Sequence, residues 1–398
     1  MPSTPATNAK FKDVLAGLTV AFALIPEALA FAVVAGLSPL TGLYAAFTVG
    51  FITSVFGTRA GMISGATGAV AVVLTPVAAE LGPEAVFATV IGAGFLQVLA
   101  GLGGLGRRLH IRSKPVISGF LNGLAIILFI SQAGQFRYTA GEHTSHWLQG
   151  SQLFSTILLV TLAIVVVVLL PRLSKAVPSS LAAILLLFLL APLLPWPVRH
   201  IGDIASVKGT FPPFHLPAIA FTPATVLYIL PHSAIMACVG IIESLLTMSM
   251  LDRIRNEQSS PKKEMLVQGF ANIVSGSFSG MGGCAMTGQT RLNMEAGGKT
   301  RLAGLTASLL LLVFILFASA LVNQIPTAAL AGIMIMIAVN TFQWESLSSL
   351  RTAPLKDSVI MLTVTGIGVA TGNLALAVIA GLLLSALINK FTNQQCST

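Results

Sequence analysis

Charge is what this sequence lacks. Of its 398 residues only 9% are charged and 55% are hydrophobic, whereas soluble domains carry about a quarter charged residues. Water is therefore not its main solvent. Cysteine is scarce too: Cys238, Cys284 and Cys396 make an odd set of 3. Two of them lie inside apolar segments, which excludes a disulfide framework or a zinc site. The first ten residues show no cleavable signal, so the first apolar run is expected to act as an uncleaved start-transfer segment. No Ser/His/Asp or Cys/His set falls at one depth, which argues against an intramembrane enzyme. His143, His146, His200 and His215 lie in loops with no cysteine or acid cluster beside them, so metal ligation is not expected. GLGGLG (Gly101 to Gly106) ends an apolar run with no strand before it; helix packing explains it better than dinucleotide binding.

What is present is a succession of apolar runs of the length that carries a helix across roughly 30 Å of hydrocarbon. The pattern predicts an all-α polytopic membrane protein with spans at 12–36, 38–57, 66–80, 84–106, 115–134, 151–171, 177–194, 222–251, 262–279, 286–297, 300–322, 326–343, 357–371 and 373–390. With these spans, only Arg137, Arg199 and Lys208 of the 22 Lys and Arg fall on the side opposite the N-terminus. The positive-inside rule then places both termini in the cytoplasm, the bilayer being the inner (plasma) membrane. The net charge of +9 is thus topological, and nucleic acid is not an expected partner. The same rule accounts for the basic run RRLHIRSK (Arg107 to Lys114) as a cytoplasmic loop.

Two segments are too short to cross alone, and they match. ISGATGAVAVVLTPVAAE contains Thr67-Gly68, and SGMGGCAMTGQTRLNME contains Thr287-Gly288. Thr67 follows Glu27 by 40 residues, and Thr287 follows Glu243 by 44. An acid-bearing span, a second span, a glycine-rich break and a half-helix therefore occur twice. Seven spans in each unit invert the second unit relative to the first. Such paired, interrupted segments mark the binding site of secondary transporters. Irregular backbone at membrane depth must be buried in protein or line a wet cavity. A half-helix starting there points unpaired N–H groups and about half a positive charge at that cavity. Two tips meeting near the midplane make an anion site that needs no arginine, with Thr67 and Thr287 as caps or ligand hydroxyls.

Glu27 is the one ionisable residue in VAFALIPEALAFAVVAGL (Val20 to Leu37), and Glu243 sits in CVGIIESLLTMSML. An ionised carboxylate at a helix centre costs about 2.5–3.5 kcal/mol, so each acid is expected to have a use, such as carrying a proton. Pro26 interrupts the helix beside Glu27 and frees carbonyls in the preceding turn. Thr247, four residues after Glu243, shares its helix face, and the pair suits a cation.

AGLSPLTGLYAAF (Ala35 to Phe47) resembles the signature between the first two spans of the SulP family, the sulfate-permease and prestin relatives. KPVISGFLNGLAIILFISQ (Lys114 to Gln132) is similar to that family's fifth span, and EAGGKTRLAGL (Glu295 to Leu305) to the stretch after its tenth. The resemblance covers residues 11–390. It implies 14 transmembrane segments as two inverted 7-segment repeats (uracil-permease-like), with a core domain moving against a gate domain. On this chain that gives an N-terminal tail at 1–10 and a first repeat at 11–197 (core 11–106, gate 115–197). A connection at 198–221, a second repeat at 222–390 (core 222–322, gate 326–390) and a tail at 391–398 follow. It also implies a homodimer that carries a small inorganic or carboxylate anion. Matched by position, the family's substrate site falls on Pro26, Glu27 and Phe31, on Ala66, Thr67, Gly68 and Ala69, and on Ala285, Met286, Thr287, Gly288 and Gln289. The cation site of its sodium-coupled members falls on Glu243, Thr247, Ala285, Met286 and Thr287.

Three departures are visible. Glu27 stands where many eukaryotic members have a neutral residue, which favours coupling to protons. Gln289 replaces an arginine common in animal members. The cytoplasmic STAS domain usual after the last span is not expected, since the sequence ends eight residues past Lys390. The expectation is a proton-coupled symporter of dicarboxylate, bicarbonate or sulfate with an elevator-like motion, without an organic cofactor and with proton or cation coupling at Glu27, Glu243, Thr247 and Thr287. Sodium-coupled bicarbonate or sulfate symport, with Na+ at Glu243, Thr247, Ala285 and Thr287, is the alternative. A facilitative exchanger or channel is another, and a nucleobase permease of the same architecture is disfavoured by the motifs.

Overall fold

The computed structural model describes residues 6–104, 114–140, 144–173, 178–195, 197–204, 209–214, 216–220, 222–350, 354–372 and 374–395. His143, His215, Cys396 and the basic run up to 113 lie outside these described residues. Proline and hydroxyl residues write several helix starts. Pro39, Pro223 and Pro261 open α2 (Pro39–Phe56), α7 (Pro223–Arg255) and α8 (Pro261–Ser277), where a missing N–H costs nothing. Thr222 and Ser260 cap α7 and α8, accepting the N–H groups of Thr225 and Lys263. Upstream lie α1 (Ala6–Val34) and α3 (Gly68–Leu102), then α4 (Lys114–Ser131), α5 (Gly150–Leu173) and α6 (Ser179–Leu190). Downstream come α9 (Thr287–Glu295), α10 (Arg301–Phe317), α11 (Thr327–Thr341), α12 (Leu355–Thr371) and α13 (Leu374–Gln395). The fold is that of a helical, polytopic membrane protein. Among the described residues, six helices are long and apolar enough to cross a bilayer. On α5, Phe154, Ile157, Leu169 and Leu173 point outward and exposed, as a lipid-facing helix requires.

One local detail departs from the sequence reading. Helix α1 runs unbroken through Pro26, so the expected interruption beside Glu27 is absent; a proline inside a long helix bends the ladder without ending it when tertiary contacts hold both sides. The segments read at 66–80 and 84–106 stand as two helical stretches within α3, divided where the sequence divides them, at Gly82 with φ 78°, a conformation open to glycine without strain.

Helix α3 packs along α7 and α8, and α1 packs on α2 and α10. Elsewhere α4 packs on α12 and α11, and α5 on α11 and α6. The α3–α8 crossing is close because two glycines meet: a Cβ on Gly94 would lie 2.6 Å from the Gly269 carbonyl oxygen. Small residues at such crossings let backbones touch where lipid offers no hydrophobic drive. Polar bonds fasten the ends of this first set of helices. Asp13 accepts from the N–H groups of Lys299 (2.6 Å) and Thr300 (3.0 Å). Arg59 bonds to Asp252 and Glu257, and the buried Glu264 accepts from the Thr58 hydroxyl at 2.7 Å.

Among the described residues, two short antiparallel ladders interrupt the helices. One is a hairpin, β2 (Arg137–Ala140) with β3 (Thr144–Trp147). The other joins residues more than 200 positions apart, β1 (Ser64–Gly65) with β4 (Cys284–Ala285), and it lies at the two helix breaks.

Candidate substrate and coupling site

The β1–β4 ladder decides where the half-helices begin. Ser64 pairs with Ala285 and Gly65 with Cys284, and Met286 N–H extends the pairing to the Ile63 carbonyl at 2.9 Å. Each strand leads within three residues into a helix, α3 from β1 and α9 from β4. Because the strands are antiparallel, the helices leave in opposite directions with their N-terminal ends facing across the ladder. Each tip carries first-turn N–H groups and its end of the helix dipole.

The tips differ. Thr67 is extended (φ −129°, ψ 152°) and caps α3, its hydroxyl oxygen accepting from Val70 N–H at 3.4 Å. Ala66, Thr67, Gly68 and Ala69 are all buried. A Cβ at Gly68 would lie 2.9 Å from Phe31 and 3.0 Å from Leu128, so those two side chains cover this tip. On α9 the cap position is Met286, half-buried and without a side-chain cap bond. Thr287 is the first helical residue and does not cap; its hydroxyl pairs with that of Thr247 at 2.8 Å. Thr287 and Gly288 are exposed, and nothing lies within 4 Å of a Cβ built on Gly288.

The two glutamates reach across the halves reciprocally. Glu27, half-buried on α1 directly after the buried Pro26, accepts from the Gln289 side-chain amide of α9 at 2.8 Å. Glu243 on α7 accepts from the Cys284 thiol of β4 at 2.7 Å, and it also bonds the Thr67 hydroxyl at the α3 tip. Each acid thus contacts the half-helix region of the opposite half. The cation set read from the resemblance divides in two. Thr247 bonds Thr287 and, at 3.4 Å, the Ala285 carbonyl oxygen, while the hydrogen-bonding partners of Glu243 are Cys284 and Thr67, one turn earlier.

A supporting layer was not anticipated from the sequence. Asn272 accepts from Gly283 N–H at 2.8 Å and donates to the Gly283 carbonyl and to Gln97 at 3.1 Å and 2.9 Å. Gln268 also donates to the Gly283 carbonyl, at 3.0 Å. Ser244 accepts from Ala285 N–H at 3.2 Å, and Thr290 from Ile63 N–H at 3.0 Å. These groups are buried, so they satisfy backbone that a helix would otherwise have paired. The signal was available: Gln268 and Asn272 are amides four residues apart inside an apolar span, a pattern that marks one buried helix face.

Comparison with known proteins matches the family model described as the sulfate permease family over residues 11–364. YbaR of Bacillus subtilis, provisionally named a sulfate transporter, is 41% identical over 94% of this chain and 76% of its own length. The bicarbonate transporter BicA of Picosynechococcus is 32% identical over 91% of this chain and 69% of its own. The solved transmembrane domain of a cyanobacterial BicA superposes with a TM-score of 0.81 at 29% identity, covering 92% of this chain and 97% of that one.

Proposed function

Because the chain belongs to the sulfate permease family, whose members are transporters and not enzymes, we propose that it is a secondary active transporter of a small anion. The anion is bicarbonate, sulfate or a dicarboxylate, and its uptake is coupled to protons. The observation that carries this reading is the reciprocal pairing at the ladder: Glu27 with Gln289, and Glu243 with Cys284 and Thr67. An anion bound between the α3 and α9 tips sits among N–H donors that recognise negative charge more than shape. A proton on Glu27 or Glu243 removes the negative charge that would repel it, so anion and proton load together.

The motion that carries this site is an elevator-like shift of α1, α2, α3, α7, α8, α9 and α10 against α4, α5, α6, α11, α12 and α13. Its support is the packing, dense within each set, and the end bonds of Asp13 and Arg59 that fasten the first set. Fourteen crossings in two inverted repeats, cytoplasmic termini, a plasma-membrane location and a homodimer complete the proposal. The charge asymmetry of the loops supports the orientation.

The test is labelled-anion uptake into proteoliposomes at two pH values, with and without sodium. An inward proton gradient should drive uptake of at least one of the three anions. Uptake indifferent to pH but lost when choline replaces sodium would select the alternative, sodium symport. That second reading has its own observation, the Thr247, Thr287 and Ala285 oxygen cluster, to which Glu243, on the same face of α7, would contribute by rotating its side chain toward Thr247.

A further inference from the structure

Cys284 has no exposed surface, yet it is surrounded by polar partners. Its thiol donates to Glu243 Oε2 at 2.7 Å, and its sulfur lies 3.4 Å from Thr67 Oγ1. Thr67 in turn bonds Glu243 and accepts from Val70 N–H at the first turn of α3. Carboxyl, thiol and hydroxyl therefore close a triangle that joins α7, β4 and the α3 tip. Resting on the transport reading, we propose that Cys284 is a positioning residue: it fixes the Glu243 carboxyl against the anion-binding tip of α3.

The chemistry follows from donor and acceptor counts. A thiol has one weak donor and a weak acceptor, and an ionised carboxylate only accepts. With Glu243 ionised, the thiol hydrogen is committed to it, and such a charge-assisted bond is about twice as strong as a neutral one. Thr67 bonds the same carboxyl and also holds Val70 N–H, so thiol, carboxyl and the cap of α3 are held as one unit. An apolar residue at position 284 would hold the β-ladder equally well and could not do this.

Two substitutions of the full-length chain separate hydrogen bonding from packing. Cys284→Ser keeps a donor and loses bulk, and Cys284→Val keeps bulk and loses the donor. In proteoliposomes, Cys284→Ser should keep the coupling-ion concentration for half-maximal uptake within about threefold of the parent. Cys284→Val should raise it about tenfold, the scale of one hydrogen bond to a charged group, with the saturated rate little changed. The opposite ranking, valine normal and serine impaired, would make Cys284 a packing residue and overturn the proposal. An infrared measurement tests the link without transport. The Cys284 S–H stretch, identified by its loss in Cys284→Ser, should shift toward a weakly bonded thiol in Glu243→Gln. A chain that transports but whose band is unmoved sinks the thiol link alone. A chain whose band shifts but which carries no anion sinks the transport reading, and with it the coupling role assigned to the thiol.

Discussion

Replacing Gly283 by alanine should separate the two broken helices without altering either glutamate. A Cβ at this position would lie 1.9 Å from the Gly65 carbonyl oxygen and 2.5 Å from its carbon. Real Cβ atoms almost never approach closer than 3.0 Å, so β1 and β4 must part by about 1 Å. On the side-chain face of Gly65 an added Cβ would sit at ordinary contact, 3.6 Å, from Ala46 and Met286, so any retreat there is limited to about the space of one methyl group. An inter-strand bond of about 2.9 Å stretched by that amount is no longer a hydrogen bond. Losing the ladder costs roughly 0.5–1.5 kcal/mol per bond, and overpacking about 1–3 kcal/mol more. The functional cost is larger. A displacement of about 1 Å in a preorganised site lowers a rate roughly a hundredfold, so anion uptake in proteoliposomes should fall by about that factor while the protein still inserts and purifies. Gly366→Ala on α12, where nothing lies within 4 Å of the added carbon, is the control. If Gly283→Ala transports within about twofold of the parent, the paired half-helix tips are not the site.

Glu27→Gln should keep an amide-to-amide contact with Gln289 but abolish stimulation of uptake by an inward proton gradient, read with and without an uncoupler. Thr247→Val should leave pH-driven uptake within about threefold; loss of a sodium stimulation in the same variant would instead show that the Thr247, Thr287 and Ala285 cluster holds the coupling ion. Asn272→Leu strands the Gly283 N–H and the Gln97 side chain in a buried setting at about 1–3 kcal/mol per group, so the thermal melting point of the purified protein should drop by several degrees and uptake with it.

Much of this was legible because membrane physics leaves few options. Backbone must be helical in lipid, so apolar length alone located the helices, and irregular backbone between them pointed to the Thr67-Gly68 and Thr287-Gly288 breaks. What the sequence left hidden was pairwise. Nothing in one dimension says that Gly65 lies against Gly283, that Cys284 points at Glu243, or that Gln289 reaches Glu27; each is a contact across more than 40 residues. Thr67 and Thr287 look equivalent by position, yet the first caps its helix and the second does not, because the hydroxyl of Thr247 claims Thr287. Pro26 was read as a break, and α1 continues through it because Leu24, Ile25, Ala28 and Leu29 around it are held in the core.

The asymmetry of the two tips bears on how one site serves two sides of a membrane. The α9 tip is open at Thr287 and Gly288, while the α3 tip lies under Phe31 and Leu128. Phe31 belongs to α1 and would travel with α3 in the proposed shift. Leu128 belongs to α4, in the other set of helices, so its contact with Gly68 has to break for the site to move. Leu128 is 1% exposed, and truncation to alanine removes the two methyl groups that lie 3.0 Å and 3.2 Å from the Gly68 Cβ position. The cost in stability should be about 2–5 kcal/mol, borne only by the arrangement in which this contact exists. Leu128→Ala should therefore shift the population away from it and raise anion efflux from preloaded proteoliposomes in the absence of any proton gradient. Efflux unchanged from the parent would mean that the α3 tip is closed by something other than the meeting of these two sets of helices.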